Sequence, residues 1–66
     1  MSYRIVARPI FYGSPYYYKG SGIWVGHLRR DYLTLKDRRK AVAIAEAIIQ
    51  EKDLGNNRIV GVEQAP

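Results

Sequence analysis

From Tyr3 to Ile10 the chain alternates. Tyr3, Ile5 and Ala7 fall on one side, and Arg4, Val6 and Arg8 on the other. A period of two is the mark of a strand. Pro9 has no amide to donate, so this strand ends there or runs along an edge. A second alternating run, GIWVGHLRR over 22–30, sets Ile23, Val25 and His27 against Trp24, Gly26 and Leu28. Between the two lies FYGSPYYYKGSG, with three glycines, two serines and a proline. It reads as a turn-rich connection, long for a hairpin. The period then changes. After a short extended stretch, YLTL, the apolar positions of KDRRKAVAIAEAIIQEKD recur at helical spacing. Ala41, Val42, Ala45, Ile48 and Ile49 share one face, flanked by Leu35 and Ile44. Lys36, Arg39, Lys40, Ala43, Ala47 and Gln50 lie opposite. Thr34 is placed as the N-cap, with Asp37 three residues on as an imperfect capping box. Glu51 and Asp53 oppose the helix dipole, and Gly55-Asn56-Asn57 offers left-handed conformers for a stop. Residues 58–63, RIVGVE, form a last strand with Val60 and Val62 on one side and Ile59 and Gly61 on the other. The tail QAP is expected to fray.

The order strand, strand, helix, strand implies an α+β fold in one domain spanning 1–66: a small three-stranded antiparallel-type sheet with one amphipathic helix on one face. The last strand is placed beside the first. One helix covers one face of such a sheet. The other face, with Arg4, Val6, Arg8 and Ile59, is left without a cover. The pattern leaves open whether Trp24 or its neighbours Ile23 and Val25 point to the helix.

Composition narrows the function. The chain has 66 residues and no cysteine, so neither disulfides nor thiolate metal sites staple it. Such a small domain buries only about 60% of its unfolded surface. No apolar run approaches the ~18 residues that span a bilayer, and MSYRIVARPI lacks the apolar core of a signal peptide. A cytoplasmic protein (the host cytoplasm if viral) without membrane contact is the expectation. His27 is the single histidine, too little for zinc, and its plain reading is a surface or half-buried strand residue. No serine sits in a GxSxG elbow, the six acids are scattered, and YKGSG lacks the GxxxxGK[ST] pattern and precedes a strand instead of a helix. These features point away from an enzyme and call for no cofactor or metal.

What remains points to binding. Eleven Lys and Arg face six Asp and Glu, a formal charge of +5, which suits a polyanion or the acidic face of another protein. Six of the twelve residues in RRDYLTLKDRRK are basic: Arg29, Arg30, Lys36, Arg38, Arg39 and Lys40. Cations in a first helical turn oppose the macrodipole, a cost that hints at service to a partner. The plainer alternative is that Asp31 and Asp37 neutralise some of them on a solvated surface. The stretch PYYYKGSGIW over 15–24 adds stiff amphipathic rings of the kind enriched in interface hot spots and base-stacking platforms. The alternative is that Tyr12, Tyr16 and Tyr18 fold back as lids over a small core. Alternation places Tyr17 opposite Tyr16 and Tyr18, so some rings pack and others protrude. The candidate partner-binding residues are Tyr16, Tyr17, Tyr18, Lys19, Trp24, Arg29, Arg30, Lys36, Arg39 and Lys40.

The short chain, the strand-strand-helix-strand layout and the helix opening TLKDRRKAVAIAEAII, similar to a T-x-x-E-A-x-x-x-A pattern, resemble the small phage-encoded anti-host proteins: anti-CRISPR proteins and short inhibitors of bacterial RNA polymerase. Many anti-CRISPR proteins are acidic nucleic-acid mimics, and this basic chain departs from them. The resemblance implies a non-catalytic inhibitor that binds a host nucleic-acid-handling complex through a basic, tyrosine-rich surface. The alternative is a direct, largely non-specific DNA- or RNA-binding module. In either case the uncovered sheet face could close by homodimerisation.

Overall fold

A computed structural model describes residues 1–51 and 58–66. Its elements are β1 (Ser2–Pro9), β2 (Tyr16–Gly20), β3 (Ile23–Gly26), α1 (Arg38–Glu51) and β4 (Arg58–Ala65). The fold is α+β, with one helix against an antiparallel sheet in the order β3-β2-β1-β4. The sheet has four strands, where the pattern suggested three. The extra strand is the tyrosine stretch. Consecutive aromatic residues favour the pleated conformation, and Ser21-Gly22 closes a two-residue hairpin at φ 54° and 77°. Two positive φ angles in succession are those of a type I′ turn, whose twist suits antiparallel strands. The Tyr18 hydroxyl accepts the Gly22 amide at 3.0 Å and ties the turn down. Lys19 is the extra residue of a bulge, because Tyr18 faces Trp24 while Gly20 faces Ile23.

β1 pairs with β4 over its whole length, from Ser2 opposite Ala65 to Pro9 opposite Arg58. The last strand therefore lies beside the first, as expected, but it runs through Gln64 and Ala65 instead of fraying, and Ala65 is buried. β1 pairs with β2 only at Val6–Tyr17 and Ala7–Tyr16. Beyond that point the segment 33–35 enters between the two strands. The Leu33 amide donates to the Tyr18 carbonyl at 2.9 Å, and Leu35 exchanges both backbone hydrogen bonds with Tyr3 at 2.7 and 2.9 Å. YLTL is thus a wedge, and it satisfies backbone groups that a sheet must pair somewhere.

The helix begins at Arg38, and Asp37, not Thr34, is its N-cap. The Asp37 carboxylate accepts the Arg39 amide at 2.9 Å, and its carbonyl accepts the Ala41 amide at 3.2 Å. Leu35 is held in the wedge, so the turn that Thr34 would cap does not form. The buried stripe of α1 is Ala41, Ala45 and Ile48, with Ile44 half-buried beside it. These positions follow i, i+3, i+4 and i+7 spacing. Ile49 was expected on this face and is exposed, because the stripe is one residue row wide. The expected stop at 55–57 and Asp53 lie outside the described residues.

Two clusters form the core, one on each side of the sheet. On the helix side Ile5, fully buried, packs with Ala45 and Ile48 and is ringed by Tyr18, Trp24, Leu35, Ile44, Val60 and Val62. Trp24 therefore faces the helix side, which settles the direction the pattern left open. On the other side Val6, Tyr17 and Val25 pack with Tyr32. Arg4, Val6, Arg8 and Ile59 do share this second face, but it is not bare. The chain leaving β3, residues 27–32, arches over it and packs Tyr32 against Val6, Tyr17 and Val25. Arg8 and Ile59 stay exposed on the β4 side.

Candidate binding surfaces

The arch and the sheet enclose a cleft of about 200 Å3. Arg4 and Tyr17 line it from the sheet, and His27, Arg29, Arg30 and Tyr32 from the arch, with Leu28 and Pro66 completing the wall. Alternation puts Arg4 and Tyr17 here, because both stand on the face away from α1. The Arg4 guanidinium lies 4.0 Å from the centre of the Tyr17 ring and 5.2 Å from that of Tyr32, a cation–π arrangement. The two rings are themselves 5.0 Å apart. Arg4 donates to Glu63 at 2.7 Å from Nε and to the Tyr32 hydroxyl at 3.0 Å from Nη1. Glu63 also takes Arg8. Burial works against the Arg4 charge, but the hydrogen bonds to Glu63 and Tyr32 and the nearby negative charge outweigh it. The guanidinium is held above its ordinary value.

On the arch, Asp31 holds Lys19 at 3.1 Å and Arg29 at 2.6 Å. The two cations, Lys19 foremost, keep its carboxyl below the usual carboxylate range. Arg30 is exposed and has no ion pair among the described residues. Around the cleft, among the described residues, Glu63 is shared by Arg4 and Arg8 and Asp31 by Lys19 and Arg29, and Arg30 is in no ion pair. Cations therefore outnumber the carboxylates around the cleft among the described residues, even with the α-carboxylate of Pro66 in its wall.

A second basic surface surrounds the start of α1. Lys36, Arg38, Arg39 and Lys40 are exposed, the first turn holds no acid, and none of the four is in an ion pair among the described residues. Asp37 spends its side chain on the cap instead of neutralising them. A third surface is aromatic. α1 packs on β1 and β4, so the helix-side face of the β2–β3 hairpin keeps a cleft of about 240 Å3 against Ala7, Tyr16, Trp24 and Arg58. The Arg58 guanidinium sits 4.4 Å from the Tyr16 ring centre. Ile10, Phe11 and Tyr12, in the connection before β2, are exposed, Phe11 at 79% and Tyr12 at 92%.

The ten candidate residues therefore do not form one surface. Tyr17, Arg29 and Arg30 meet in the arch cleft. Tyr16 and Trp24 line the hairpin cleft, and Tyr18 packs against Trp24 with ring centres 5.0 Å apart. Lys19 is engaged by Asp31 at the bulge. Lys36, Arg39 and Lys40 belong to the helix start. Arg4, His27 and Tyr32 join the arch cleft without having been singled out as binding residues. The signal for Tyr32 lay only in its place after the basic pair, and no local pattern marks a ring that packs across a sheet. Among the described residues no group of three or more His, Cys, Asp or Glu could hold a metal ion. No family model, no curated protein and no solved structure matches this chain.

Proposed function

We propose that this chain is a non-catalytic binding domain that holds nucleic acid by its phosphate backbone, with little sequence preference, through the basic start of α1. One observation carries the reading: Lys36, Arg38, Arg39 and Lys40 stand exposed and unpaired among the described residues where the helix dipole disfavours cations. A stability cost borne by four side chains is accounted for when an anion completes the site. Phosphates bound there would also meet first-turn amides other than that of Arg39, which the Asp37 cap holds. Four neutralised phosphates give a log–log salt slope near −3.6 on duplex DNA, so affinity falls roughly 150-fold between 50 and 200 mM salt. Titration of a fluorescent duplex and a single strand over that range tests the reading. A flat salt response, or unchanged binding in the quadruple variant K36A/R38A/R39A/K40A, overturns it.

A second reading has its own observation. The exposed Ile10-Phe11-Tyr12 tip suits an inhibitor that docks on a host nucleic-acid-handling complex, because large exposed apolar and aromatic groups in sequence mark protein contact. Pull-down from bacterial lysate, with and without nuclease, separates the two. One protein complex retained after nuclease, and lost on F11A/Y12A, supports docking. Recovery that nuclease abolishes supports the nucleic-acid reading.

A further inference from the structure

We infer that the cleft between the arch and the sheet is a site for a phosphomonoester group, separate from the basic helix start. Its polar side chains are donors: two guanidinium groups on the arch, the Arg4 guanidinium below them, an imidazole and two phenols. Among the described residues no carboxylate side chain lines it; Glu63 and Asp31 pair with Arg4 and Arg29 from outside its wall and leave Arg30 as the unpaired guanidinium. The Tyr32 hydroxyl already accepts from Arg4 at 3.0 Å, so its own proton is free to be donated. Arg30 offers an unpaired fork, the geometry that matches phosphate oxygens in pairs. His27 offers a ring N–H whether neutral or charged.

These donors come from two directions, the sheet below and the arch above, and a tetrahedral dianion can accept from both. A flat carboxylate would use one side only. Among the described residues the cations around the cleft outnumber the carboxylates, which favours a doubly charged group over a singly charged one. The cleft, about 200 Å3, is smaller than the ~300 Å3 at which drug-sized ligand pockets begin. Arg4 lies over the Tyr17 ring, and the Tyr17 and Tyr32 rings pack tilted against each other. Tyr17 is buried and offers no face to a base, and the small volume admits the phosphate and leaves the rest of the molecule outside.

The phosphate could belong to a free nucleotide or to a 5′-phosphorylated strand end. NMR titration of the intact chain with inorganic phosphate, adenosine 5′-monophosphate, and a short single strand with either a 5′-phosphate or a 5′-hydroxyl tests both. Saturable shifts of the His27, Arg30 and Tyr32 amides with phosphate and the monophosphate are expected. R30A should weaken them by about tenfold or more, as loss of a charged hydrogen-bonding partner does. Arg30 is exposed, so this variant keeps the fold; Y32F serves as a second, weaker probe. Tighter binding of the 5′-phosphorylated strand than of the monophosphate assigns the site to strand ends, and equal binding assigns it to small molecules. Absence of saturable shifts, shifts confined to the first turn of α1, or full binding by R30A overturns the inference. The quadruple helix-start variant should bind adenosine monophosphate as the parent does, so failure of the backbone-binding reading leaves this result distinct.

Discussion

Replacing Glu63 with Gln tests how the second face of the sheet is held. Glu63 spends one carboxylate oxygen on Arg4, at 2.7 Å from Nε and 2.5 Å from Nη2, and the other on Arg8. The Arg4 and Glu63 side chains keep 15% and 22% of their exposure, whereas Arg8 keeps 55%. Breaking a fully buried pair costs about 3–5 kcal/mol, and an exposed pair contributes about 0–1 kcal/mol. With roughly four-fifths of the Arg4–Glu63 pair out of water, and with a Gln carbonyl still able to accept one bond, the cost of E63Q comes to about 2 kcal/mol. Arg8→Ala, at the solvent end of the same carboxylate, should cost no more than about 0.5 kcal/mol. A domain of this length has a total stability of about 3–10 kcal/mol, so the first loss is large and the second is barely measurable.

Urea unfolding followed by Trp24 fluorescence reads both changes. The E63Q deficit should persist at 1 M salt, because a pair this far out of water is weakly screened. Arg4→Met keeps an unbranched apolar side chain while removing the charged guanidinium that lies over Tyr17 and Tyr32. R4M and E63Q combined should then cost less than the sum of the two, by about 1–2 kcal/mol. An E63Q variant within 0.5 kcal/mol of the parent by the additivity limit, or an R8A deficit equal to that of E63Q, refutes the reasoning.

Three further outcomes follow from local geometry. Asp37→Ala removes the N-cap of α1 and should cost about 1 kcal/mol, seen in urea unfolding; Thr34→Ala should cost far less, because Thr34 caps nothing. Ser21→Asn should stabilise by about 0.5–1 kcal/mol, since Ser21 holds φ 54° and Asn-Gly is the favoured type I′ pair; a lowered melting temperature would mean that the turn is of another kind. The Asp31 carboxyl should titrate below its ordinary value of about 3.9 by NMR, and Lys19→Met should move it back up. The sign follows from the lowered value: the Lys19–Asp31–Arg29 trio stabilises above about pH 4 and loses its contribution as pH falls through the folded-state value.

The helix and the strands at either end were legible because each carries a single clear period. Arg4, Val6 and Arg8 could be placed on the face away from the helix from alternation alone. The tyrosine strand was not legible, because Tyr16 to Gly20 has no apolar–polar alternation: three like residues in a row hide a period of two. Its turn signal, Ser21-Gly22, also sat among other glycines that suggested one long loop. The N-cap was displaced by a tertiary contact. Thr34 fits the cap pattern locally, but Leu35 pairs with Tyr3, so the helix must start later, and the next acceptor is Asp37. The candidate residues fall in two runs, one aromatic and one basic. Alternation alone parts Tyr17 from Tyr16 and Tyr18, but that Tyr17 meets Arg29 and Arg30 depends on the arch folding back over the sheet, which no local pattern marks.

Tyr32 connects the fold to the proposed site. It follows the basic pair of the arch, its ring packs on Val6, Tyr17 and Val25, and its hydroxyl takes a bond from Arg4. One residue further on, the chain is fixed by the Leu33 bond to Tyr18, and two beyond that by the pairing of Leu35 with Tyr3. The cations at 29 and 30 thus hang on a loop whose downstream end cannot move freely, which is the condition for donors to be in place before a ligand arrives. Two substitutions separate the ring from the hydroxyl. Tyr32→Phe removes one hydrogen bond and should cost about 1 kcal/mol. Tyr32→Ala also strips the cover from the second core cluster; for a half-buried ring, somewhat below the ~3–5 kcal/mol of a fully buried aromatic, the cost should be about 2–3 kcal/mol. Hydrogen exchange of the Val6 and Val25 amides should rise sharply in Tyr32→Ala and little in Tyr32→Phe. If the two variants were equally stable, the ring would not be the roof of that cluster, and the arch would be a loop lying on the sheet instead of a part of its core.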